Sequence, residues 1–163
     1  MDESDETLRP EVRIAPRLID SLYTEALLLA DEARSYFDHA GRSERSELEP
    51  FARVGFACES LKVTTRLMHI IAWLLTQRAV ENGELDAASG RRPERRLGHA
   101  GASDLHVVEQ LPDGARALIS SSIDLYERVR RLDEEQLSGQ PVPSPARALM
   151  GRLERDLIWN SSR

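Results

Sequence analysis

The chain has 163 residues, 40% of them apolar and 31% charged, with a formal net charge of -6 and a pI near 5.3. That length suits one domain that buries a core without disulfides or metals, and the acidic balance argues against a nucleic-acid footprint, which needs a basic surface or stripe. The basic residues, all arginine except Lys62, are mostly interleaved with carboxylates, and the one cluster, Arg91, Arg92, Arg95 and Arg96, sits beside Gly90 and Pro93 as a solvated loop.

Residues 1–15 carry five carboxylates against two arginines, a composition that predicts a disordered acidic N-terminus. It has neither an apolar signal core nor an Arg-rich transit pattern, so a cytoplasmic protein is expected, in keeping with a single cysteine, Cys58. From Pro16 the pattern becomes helical: Leu18, Ile19, Leu22, Ala26, Leu29, Ala33 and Phe37 recur at steps of three and four, and Gly41 is a natural stop. A polar linker, "GRSERSELE", leads to Pro50, which suits the first turn of a second helix running to about Asn82 with Gly83 as its cap. Segment 84–103 has no sustained apolar period and reads as a long mobile loop. "LHVVEQL", Leu105 to Leu111, is either a short strand or the approach to a third helix. That helix starts near Pro112 or Asp113 and aligns Ala115, Leu118, Ile119, Ser122, Leu125, Val129 and Leu132. The expected domain spans 16–137. Beyond it, Pro141, Pro143 and Pro145 form an extended hinge in a flexible tail, 138–163, ending in a short amphipathic segment with Leu149, Met150, Leu153 and Leu157 on one face and Trp159 nearby. The Asn160-Ser161-Ser162 triplet is a chance match to a glycosylation acceptor in a cytoplasmic chain.

The fold expected is all-α: a three-helix bundle whose long central helix touches both neighbours. Between Leu67 and Leu75 only His69 interrupts the apolar residues, and this run is too short for a membrane span. Turned at 100° per residue, Leu61, Val63, Leu67, Met68, Ile70, Ile71, Leu74 and Leu75 cover an arc wide enough for two neighbouring helices. Ser60, Thr64 and Arg78 interrupt the arc, so Arg78 is expected to reach the helix end or meet a carboxylate. Cys58 is expected as a buried structural thiol. The remaining strip holds Lys62, Arg66, His69, Trp73, Thr76 and Gln77. A tryptophan beside arginine on a polar strip is a typical contact hot spot, which makes Lys62, Arg66, His69, Trp73 and Gln77 the candidate protein-binding residues. The competing reading has Trp73 covered by the tail or the loop.

No chemistry is advertised. His39, His69, His99 and His106 lack metal-ligand spacing, and there is no Cys-x-x-Cys, EF-hand loop, phosphate-binding loop or nucleophile elbow. Bulky Ile70, Ile71 and Trp73 around His69 argue against a phosphotransfer histidine. Catalytic residues, cofactors and metal are therefore expected to be absent.

The run "ESLKVTTRLMHIIAWLLTQRAVENGE", Glu59 to Glu84, resembles the signature of the RcdA-like family, named for a regulator of CtrA degradation in alphaproteobacteria. "LIDSLYTEALLLADEARSYFD" and "LPDGARALISSSIDLYERVRRLDE" resemble its first and third helices, so the likeness covers about residues 17 to 136. It implies a dimerising three-helix bundle that acts without catalysis as a proteolytic adaptor, delivering cell-cycle regulators as cargo to the ClpXP protease with the response regulator CpdR. From the residues alone, the alternative is an all-helical signalling or transcriptional regulator that binds a small ligand near Met68 and Ile71.

Overall fold

The structure is a computed structural model that describes residues 13–139. The expected acidic N-terminus up to residue 12 and the tail from residue 140 lie outside the described residues. The chain is all-helical, with no strand among the described residues. Its elements are α1 (Pro16–Asp38), α2 (Ala40–Ser46), α3 (Pro50–Glu81), α4 (Ala87–Gly90), a 3-10 turn (Pro93–Arg95), α5 (Leu105–Val108) and α6 (Asp113–Ser138).

The three long helices start where the sequence expects. Pro16 and Pro50 open α1 and α3, because a first-turn residue has no intrahelical partner for the N–H that proline lacks. Asp86 and Asp104 cap the short helices α4 and α5 through side chains that accept from the Ser89 and His106 amides. The expected polar linker after Gly41 is instead helical: the chain breaks at His39 and continues as α2. Gly41 lies against Tyr36 and Phe56, and the Tyr36 hydroxyl donates to Glu44. "LHVVEQL" is the short helix α5 followed by a turn, not a strand.

Packing follows the apolar stripes. Ile19, Leu22, Ala26 and Leu29 of α1, Val63, Leu67, Ile70 and Leu74 of α3, and Leu118, Ile119, Leu125 and Val129 of α6 form the core. Each large side chain so buried stabilises the fold by roughly 1.5–3 kcal/mol relative to exposure. Phe37 stacks edge-on against Phe56 with centroids 5.5 Å apart. Arg78 meets Asp20 at 3.3 Å and covers the Tyr23 ring, so its expected carboxylate is found on α1. These pairs make α1 antiparallel to α3. The pairs Arg66–Ser122, Trp73–Asp133 and Gln77–Gln136 make α6 parallel to α3.

Parallel neighbours need a return crossing. The segment that composition alone marks as a mobile loop is that crossing, and it descends along α3 from Gly90 beside Val80, through Gly98 beside His69, to Val107 beside Gly55.

Candidate protein-binding face

The strip of α3 expected to face outward faces inward. Trp73 is 2% exposed, Arg66 3% and Gln77 6%, so the hot-spot reading of their exposure is corrected. Lys62 and His69 are half-buried. The physical reason is that nearly every polar atom on this strip has a partner, and a paired polar group can be buried at little net cost where an unpaired one cannot.

The pairing forms a clasp. Lys62 Nζ donates to Glu59 Oε1 at 2.7 Å, and Ser103 Oγ donates to Glu59 Oε2 at 2.5 Å. The Arg66 guanidinium donates to Ser103 Oγ at 2.7 Å, to the Gly101 carbonyl at 3.0 Å and to Ser122 Oγ at 3.2 Å. One arginine thus joins α3, the crossing and α6. Burial pulls the Arg66 pKa below its ordinary value, opposed by the nearby charge of Glu59 and by Tyr126. One to two turns further on, Trp73 Nε1 donates to Asp133 Oδ1 at 2.9 Å, while Arg96 from the crossing binds Asp133 Oδ2 at 2.9 Å. Gln136 Nε2 donates to Gln77 Oε1 at 2.6 Å. Tyr126 donates to the Gly98 carbonyl at 2.8 Å. His69 packs under Gly98, where an added Cβ would stand 2.7 Å from its ring, and its Nδ1 is buried with no hydrogen-bond partner.

Half of the apolar arc faces the other way. Val63, Leu67, Ile70 and Leu74 enter the core, but Leu61 is 66% exposed, Met68 64% and Phe51 71%, with Val54 and Leu75 also exposed. Cys58, expected to be buried, is exposed with them. Phe51, Val54, Cys58, Leu61, Thr65, Met68, Ala72 and Leu75 follow alternating steps of three and four, the a/d positions of a heptad repeat. This face was missed because a helical arc reports which residues are apolar, not which half of them the neighbours cover. The 3.5-residue step was the available signal. Beside the ridge of Leu61 and Met68 runs an open apolar groove of about 440 Å³, walled by Ala30, Ala33 and Phe37 of α1 and by Leu67 and Ile71 of α3.

Among the described residues there is no group of three or more His, Cys, Asp or Glu that could hold a metal ion, and no helix is long and apolar enough to cross a membrane. The fold and its faces therefore define an all-helical protein with an inner polar clasp and an outer apolar seam. The chain belongs to the family described as Protein of unknown function (DUF1465), whose profile matches residues 11–157. It is similar to RcdA from Caulobacter crescentus CB15, whose crystal structure superposes with a TM-score of 0.63 at 34% sequence identity, covering 79% of this chain and 97% of the RcdA chain. No curated protein matches. The likeness read from Glu59 to Glu84 thus extends over most of the described chain.

Proposed function

We propose that this protein is a dimeric, non-enzymatic adaptor of regulated proteolysis, acting in the cytoplasm to deliver cell-cycle regulators to the ClpXP protease together with a response-regulator partner. The observation that carries the reading is the 34% identity to RcdA over 97% of that chain. An adaptor raises the local concentration of a cargo at the protease, which needs binding surfaces and no chemistry. The outer face of α3 supplies a surface of the required kind.

The seam fits a second copy of the chain. Its alternation of three and four holds from Phe51 to Leu75, about 36 Å at 1.5 Å per residue, and its ridge of Leu61 and Met68 borders the groove. A two-fold axis lets the ridge of each copy enter the groove of the other, the self-complementary contact of an isologous dimer. Of the five candidate contact residues, only Lys62 and His69 keep part of their surface exposed beside the seam, and they remain the candidates for partner contact. Arg66, Trp73 and Gln77 support it from inside.

The test is capture of purified ClpX and a response regulator on the tagged chain, with cargo turnover followed in parallel. The adaptor reading expects accelerated turnover that requires this protein; turnover independent of it would refute the reading. The groove at Met68 and Ile71 also favours a second reading, a small apolar ligand bound there. Saturable ligand-induced thermal stabilisation would support that reading, and its loss in Met68→Glu would place the ligand in the groove.

A further inference from the structure

At the opposite end of the bundle from the aromatic cluster, a second cavity of about 240 Å³ opens where α1 begins and α3 and α6 end. Ile14, Ile19, Val80, Ala87 and Gly90 give it apolar walls, and the hydrogen-bonded amides of Gln77 and Gln136 mark its polar side. It is larger than the roughly 150 Å³ cavity known to take up benzene, so an aromatic ring or a leucine side chain fits.

The chain itself leaves the fold at this point. Helix α6 ends at Gly139 in the left-handed conformation, φ 61°, one turn beyond Gln136 in the cavity wall. Residues 140–145 with their three prolines reach about 19 Å when extended at 3.1 Å per residue. Immediately after them come Leu149, Met150, Leu153, Leu157 and Trp159 at helical spacing, with Glu154 and Asp156 among them. Arg13, Arg91 and Glu81 complete the lining, so the rim carries both signs of charge and the apolar walls carry the fit. The N-terminal segment 1–12 is the other chain end near the cavity, but apart from Met1 it offers only Leu8 and Val12 among its large apolar residues, beside five carboxylates.

We propose that this cavity is the docking site of the chain's own C-terminal segment, residues 146–159, which seats its Leu153–Leu157 face there in the same molecule. A short tether holds the segment at an effective concentration in the millimolar range. Weak apolar contacts then suffice to keep it bound, and a partner that binds the segment must displace it. The inference is independent of the adaptor reading.

The experiment is limited trypsin digestion of the full-length chain, with cleavage at Arg152 and Arg155 followed by mass spectrometry. Three variants are compared with wild type: the double variant Leu153→Asp/Leu157→Asp, the cavity-filling Ala87→Phe, and a chain lacking residues 1–12. Circular dichroism checks that the fold is intact in each. Docking predicts cleavage about tenfold faster in the double variant and in Ala87→Phe, wild-type protection without residues 1–12, and protection that does not change on dilution. Equal cleavage in all variants would overturn the proposal. So would protection lost on dilution, which would make a second copy the occupant, or unchanged protection in Ala87→Phe, which would place the segment elsewhere.

Discussion

Asp133 shows how one residue can decide which face of a helix is buried. Its two oxygens take the Trp73 indole N–H and the Arg96 guanidinium, and with them the tryptophan can be covered completely. Asp133→Ala should cost about 1–3 kcal/mol, because the indole N–H is left buried without a partner, whereas Arg96, partly exposed, can turn to water. Urea denaturation of the variant measures this, with Asp31→Ala, which removes a largely exposed ion pair, as a control expected to show no measurable change. Trp73→Ala should cost more, about 3–5 kcal/mol, and leave self-association intact among the molecules that remain folded. A second residue-scale effect concerns alkaline pH. Burial, and then the hydrogen bond to Glu44, raise the Tyr36 pKa above its ordinary value, so the folded state holds the phenol proton more tightly than the unfolded chain. That contribution is complete below about pH 10, the unfolded value, and is lost as pH rises above it. Thermal melts of Tyr36→Phe should therefore decline less steeply than wild type above that pH.

At the scale of elements, apolar period and proline placement made α1, α3 and α6 legible in the sequence, with their starts and the inward stripe of α6 from Ala115 to Val129. The short elements were not legible, because α2, α4 and α5 are set by local capping and by contacts with the long helices, not by a period of their own. The inward turn of Arg66, Trp73 and Gln77 was hidden for a related reason. Their partners, Ser103, Ser122, Asp133 and Gln136, lie at least 37 positions away in the chain, and pairing at that separation leaves no local signal. Arg78 was anticipated because a charge in an apolar arc demands a partner wherever the partner lies. The crossing between α3 and α6 depends on the same distant pairs and on the close approach at Gly98. Gly98→Val should force the crossing away from His69 and speed tryptic cleavage at Arg95 and Arg96, while circular dichroism shows the three long helices unchanged. Unchanged cleavage would mean that the crossing is held without the His69 contact.

At the scale of the whole molecule, α3 is a two-sided element. Its inner polar side closes the fold by clasping the crossing and α6, and its outer apolar side stays uncovered in the single chain, as the proposed self-association requires. Contiguous exposed apolar surface on a soluble chain marks an interaction site more often than an accident of composition, and the heptad step gives this surface a definite register. Sedimentation velocity on wild type and on the seam variant Leu61→Glu/Met68→Glu, with circular dichroism alongside, tests this division of α3 most directly. The account predicts a dimer for the wild type and a monomer of unchanged helicity for the variant. A variant that still sediments as a dimer, or a wild type that is monomeric at every concentration, would contradict the assignment of the outer face of α3 to self-association.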